Sequence, residues 1–158
     1  MKNNTLIIPI KYLFLFISLI VLAPACSNST SGDDEHEHEE ADGFFLVMDA
    51  DTIVTQLPKA TVEGSIALTV GEETSLIAIY FIAPDGDEFQ PEGEEHNLVS
   101  ELSQDGIVIF EHNDSDKWSF RLKAETAGTT NLTLFLYHED HPDFETQTIP
   151  VTVTSASN

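Results

Sequence analysis

With 28 Asp and Glu against six Lys and Arg, this 158-residue chain carries a formal charge of −22. Such a field repels nucleic acid and anionic lipid head groups and attracts divalent cations and basic partners. The length allows one domain with a real core, and the single cysteine, Cys26, excludes an intramolecular disulfide.

The first 25 residues read as a targeting segment. Lys2 and Lys11 supply a positive start, and Tyr12 to Leu22 is an apolar run of eleven residues. That run is too short for a bilayer-spanning helix, which needs roughly 20 residues, and it fits a secretory signal core. It closes on Leu22-Ala-Pro-Ala-Cys26. These five residues resemble a lipobox, the processing site of bacterial lipoproteins. The resemblance implies cleavage before Cys26, lipid on its sulfur, and a chain tethered to a membrane without spanning it. Residues 26–42 contain the acidic run Asp33 to Glu40 and no large apolar residue after Cys26, so they read as a disordered tether. An acidic run soon after the lipidated cysteine is similar to small surface lipoproteins of the Bacteroidota. That implies an outer-membrane, lipid-anchored protein at the cell surface, with the periplasmic face as the alternative. His36 and His38 alternate with carboxylates in this tether and could chelate a metal.

From Gly43 the pattern is that of strands. Phe44–Met48 and Thr52–Leu57 form a hairpin about Asp49-Ala-Asp51. Ser65–Val70 alternates, and Thr74–Ala83 is apolar on both faces, as in a central strand. Glu88–Asn97 is an acidic loop. Leu98–Leu102 and Ile107–His112 flank Gln104-Asp-Gly106, read as a hairpin turn. Lys117–Glu125 alternates, with Trp118, Phe120, Leu122 and Ala124 inward and Lys117, Ser119, Arg121 and Lys123 outward. Asn131–His138 alternates again, and the last strand, Thr146–Thr154, contains Pro150 and is expected at or near an edge. No helical period occurs after the targeting segment. Strands of this length with turns every 8–12 residues predict an all-β antiparallel sandwich over residues 43–155.

Val70-Gly-Glu72 and the corner Lys123-Ala-Glu-Thr-Ala-Gly-Thr129 before Leu132-Thr-Leu134 resemble the bacterial immunoglobulin-like domains of surface proteins. Glu125 and Thr126 are inserted in that corner. The resemblance implies an immunoglobulin-like sandwich, with the 44–57 hairpin extending one sheet.

If successive strands from Ser65 onward run antiparallel, the loops at 84–97, 112–116 and 138–145 share one end. That end then collects His96, His112, His138 and His141, with many carboxylates. Neutral imidazole and carboxylate form a ligand set for zinc and similar divalent metals. His138, Asp140 and His141, completed by His112 or His96, are the candidate site. Asp85, Asp87 and the acids of Asn113–Asp116 offer oxygen to calcium, without EF-hand spacing. No nucleophile elbow or phosphate loop is present, so the chain reads as a non-enzymatic binding module. The rival reading gives the same loops to a protein or glycan partner, in adhesion or as an accessory subunit of an outer-membrane transporter.

Overall fold

The computed structural model describes residues 40–156. The targeting segment, Cys26 and the histidines of the tether, His36 and His38, lie outside the described residues. The described chain is all-β, as its alternation predicts. In order, its strands are β1 (Gly43–Met48), β2 (Asp51–Gln56), β3 (Glu63–Gly64), β4 (Ile66–Thr69), β5 (Ile77–Ile82), β6 (Glu88–Phe89), β7 (His96–Leu102), β8 (Val108–His112), β9 (Ser119–Ala124), β10 (Gly128–His138), β11 (His141–Glu145) and β12 (Ile149–Thr154).

They form two sheets. One runs β3-β2-β1-β5-β9-β8, with β6 on β5; the other runs β11-β10-β12-β4, with β7 on β10. Strands β5, β9 and β8 face β7, β10 and β12, and the early strand β4 runs parallel to the last, β12. This is the arrangement of an immunoglobulin-like sandwich. The β1–β2 hairpin extends the first sheet beyond β5. Both sheets contribute to one core: Phe44, Leu46, Ile77, Ile79, Phe81, Phe120 and Leu122 from the first, Leu132, Leu134, Leu136, Ile149 and Val151 from the second. Burying each such side chain is worth roughly 1.5–3 kcal/mol. With no disulfide available, that burial is what holds the domain.

Strand β10 organises the second sheet. One side carries β7 along its C-terminal half, Leu132↔Leu102 through His138↔His96. The other carries β12 against residues 128–132 and then β11 against residues 135–138. Between β11 and β12 the ladder is interrupted, and Thr146 repairs it. Its buried hydroxyl accepts the Leu134 N–H at 3.0 Å, and its own N–H donates to the Leu134 carbonyl at 2.9 Å. A buried N–H left without such an acceptor costs about 1–3 kcal/mol.

Two local expectations are corrected, and a third is sharpened. The strand that carries Pro150 is near an edge but not at it, because β12 lies between β10 and the edge strand β4. Its register partner Asn131 turns its N–H and carbonyl away, toward Ser103. The missing proline N–H therefore faces the β4 side, where pairing begins only at Val151. The turn at Gln104–Gly106 is not a hairpin, since β7 and β8 belong to different sheets; it carries the chain across the sandwich. Ser119 points inward and is fully buried, accepting a hydrogen bond from Asn113 Nδ2 at 2.9 Å and donating to the Asp116 carbonyl at 3.1 Å.

The β1–β2 turn places both Asp49 (φ 54°) and Ala50 (φ 70°) in the left-handed region. Alanine pays roughly 1–2 kcal/mol for that conformation, whereas glycine costs about 0.4–1 kcal/mol through the unfolded chain. Ala50→Gly is therefore expected to stabilise the domain by about 0.5–1 kcal/mol, read as a higher urea midpoint with an unchanged slope.

Candidate functional site

Three histidines and one aspartate meet where β7 begins, β10 ends and β11 begins. His138 continues the inner row of Leu132, Leu134 and Leu136, because residues two apart share a strand face. The β7–β10 register sets His96 directly opposite it. The two rings stack, with centroids 4.8 Å apart and planes 21° from parallel. On the other side of β10, His141 is paired with His138 across the two-residue turn Glu139-Asp140, its ring 5.6 Å away and tilted by 67°.

Asp143 arrives through a bulge. The β10–β11 register runs Tyr137↔Pro142, then Leu136↔Phe144, so Asp143 is the extra residue on β11. Such a bulge re-aims a side chain. Here the carboxylate reaches both histidines of the turn: Oδ1 lies 3.1 Å from His141 Nε2, and Oδ2 lies 4.0 Å from His138 Nδ1. One ligand atom each from His96, His138 and Asp143 falls within 4.8 Å of the others. His96 and His138 keep only 14% and 18% of their side-chain surface exposed, against 59% for His141. Two recessed imidazoles and a carboxylate thus form the centre, with His141 at its rim.

His96 is aimed by its own loop. Its Nδ1 lies 2.7 Å from the Glu92 carbonyl. A carbonyl only accepts, so Nδ1 carries a proton, and it is in the neutral ring that Nε2 presents a lone pair. Metal-binding histidines are commonly oriented this way, by a ring N–H given to a carbonyl or carboxylate. Glu95 folds back beside this pair, its carboxylate 3.7 Å from His96 Nδ1. Its own backbone N–H, chiefly, holds the carboxyl below its ordinary value of 4.5, helped by His96, His138 and Lys117 and opposed by desolvation. The left-handed Gly93 (φ 88°) makes room, since a Cβ there would overlap the Glu95 carboxylate.

The shared end expected from strand alternation is present. Trp118 Nε1 donates to the Pro91 carbonyl at 3.1 Å, and the Glu139 N–H donates to the Glu95 carbonyl at 2.8 Å, which joins all three loops. The histidines nevertheless divide. His96, His138 and His141 come together. His112 sits on β8 in the other sheet, edge-on to Phe110, and is outside the group of converging ligand atoms. Asp140 is also outside it: the side chain is 99% exposed and lies 3.6 Å from His141 Nδ1. Asp143 takes the place expected for Asp140. Residues 139–145 read as a loop, so no strand alternation distinguishes it from Asp140, and the bulge that aims it is not visible in the sequence.

No family model and no curated protein matches the chain. Among solved structures it is similar to domains 4 and 5 of the S-layer protein SbsC, at 10% identity and a TM-score of 0.43, covering 64% of this chain and 63% of that one. It is also similar to domains 1–6 of the same surface-layer protein, at 8% identity and a TM-score of 0.45, covering 78% of this chain and 21% of that one. The chain thus spans under two thirds of the length of either neighbour.

The Glu95 shift has a definite sign. A carboxyl held below its ordinary value in the fold adds stability above the unfolded value, and loses it as pH falls through the folded one. The thermal midpoint of wild type should exceed that of Glu95→Gln at pH 6. The gap should close as the pH is taken below 4.5, in a melting series against pH.

Proposed function

We propose that this chain is a lipid-anchored, extracytoplasmic binding module that captures a divalent transition metal ion at His96, His138 and Asp143, with His141 as an added ligand at the rim. The observation that carries the reading is the convergence of three ligand atoms within 4.8 Å of one another. Imidazole nitrogen with a carboxylate suits zinc and its neighbours better than calcium or magnesium, which prefer all-oxygen sets. The donors come from a strand start, a strand end and a bulge, all set by sheet pairing, so little ordering is left for the ion to impose. The negative charge of the chain raises the local concentration of cations around the site.

Titration calorimetry of the purified chain with zinc, nickel and copper tests the site. His138→Ala and Asp143→Ala should each weaken binding at least about tenfold, or 1.4 kcal/mol. His112→Ala should leave it unchanged. Because imidazole binds metal only when neutral, affinity should fall as the solution is acidified. Equal binding by all four proteins, or none by any, defeats the reading. The anchor has its own test: Cys26→Ser should move the protein from the membrane fraction to the soluble fraction and abolish labelling by a palmitate analogue.

A further inference from the structure

The loop that presents His96 is fastened from outside by one ammonium group. Lys117 was expected on the outer face of a strand. Instead it precedes β9, which begins at Ser119, and it reaches across to the 91–96 loop. There Nζ donates to the carbonyl of Gly93 and, at 3.0 Å, to that of His96 itself. The ammonium also stands 5.1 Å from the centroid of the Trp118 ring, and Trp118 in turn holds the Pro91 carbonyl. Within this loop the Glu92 carbonyl is the one that receives the His96 ring. The carbonyls on either side of it, Pro91 and Gly93, are thus taken by two consecutive residues, Trp118 and Lys117. The Glu92 carbonyl that meets the His96 ring thus lies between two carbonyls that are each held from outside the loop.

We infer that Lys117 is the positioning residue of the metal site: it acts through the 91–96 loop to hold His96 with Nδ1 protonated and Nε2 available as a ligand. This rests on the metal-binding reading above. Two effects of the ammonium oppose each other. Its charge repels an incoming divalent cation, so its removal would tighten binding by electrostatics alone. Its two hydrogen bonds fix the loop, so its removal frees His96. A charge-assisted bond is stronger than a neutral one, and Lys117 makes two of them to carbonyls flanking the ligand. The ammonium is partly solvated, which screens its repulsion of the ion. The positioning effect therefore prevails.

The test compares full-length wild type, Lys117→Met, Lys117→Arg and Gly93→Ala by zinc calorimetry and by nitrogen-15 NMR of the histidine ring nitrogens without metal. Lys117→Met should bind zinc about tenfold more weakly, and its His96 should lose the Nδ1-protonated signature in the metal-free protein. Lys117→Arg, which keeps a charged donor, should recover both. Gly93→Ala displaces Glu95 and the loop, and so loosens the carbonyl that Lys117 grips while keeping the ammonium. It should also lose about tenfold, and it decides the matter if Lys117→Met does not fold. Zinc binding by Lys117→Met, or by Gly93→Ala in its stead, that is as tight as wild type or tighter overturns the inference. So does an unchanged His96 tautomer. Absence of zinc binding by wild type defeats the metal reading instead, and the metal-free tautomer comparison still decides whether Lys117 positions the ring.

Discussion

The register between β7 and β10 is the constraint on which the rest depends. Leu98 lies opposite Leu136, and both are buried in the shared core. Sliding one strand by a single residue would turn every inward side chain of that strand out to water. The register is therefore held by several hydrophobic pairs acting together. Two residues along the same faces, that register sets His96 against His138. The stacked imidazole pair is a by-product of core packing, in the sense that no interaction between the rings is needed to bring them together. Such a site is rigid because moving it requires unpacking leucines.

Asp143 shows a second way of using the ladder. A regular strand would place it on the face opposite its neighbours Pro142 and Phe144. The bulge adds one residue to β11, lets Phe144 keep its inward position against Phe81, and frees Asp143 to reach His138 and His141. The same strand thus serves the core and the polar cluster without compromise to either. Further along, Thr146 absorbs the next irregularity with its hydroxyl, so the Leu134 N–H keeps an acceptor across the interruption.

Much of this was legible in the residues. Period-two alternation predicted most of the longer strands and, Ser119 apart, the inward faces of β9 and β10, while a run apolar on both faces placed β5 centrally; β6 and β11 lie in stretches that read as loops. The end of the sandwich that gathers the loops followed from strand parity. What escaped was whatever depends on which strands pair. Asp-Gly at 105–106 reads the same in a hairpin as in a crossover between sheets. Proline at 150 says that its strand is at or near an edge, not which of the two, and here its missing donor faces a gap in the ladder beside the edge strand. His112 and His96 are equivalent in a parity argument, yet they stand on different sheets. Asp143 in place of Asp140 needed the bulge, and Lys117 needed the fold of a loop that has no period at all.

Charge completes the picture. Arg121 and Lys123 pair with Glu73 and Glu125 on surfaces that are 41–49% exposed, and such pairs contribute at most about 1 kcal/mol each. They moderate the acidic field without deciding the fold. Lys117 differs because its hydrogen bonds go to carbonyls and not to acids, so its charge is spent on shaping a loop. Around it, three imidazoles and the carboxylates of Glu95 and Asp143 crowd one end of a stable sandwich. An ion held there by the folded state only, as proposed, would stabilise the fold by an amount that grows with its concentration over its dissociation constant. Because the core owes nothing to an ion, the arrangement on which the proposed capture rests is assembled by sheet pairing alone.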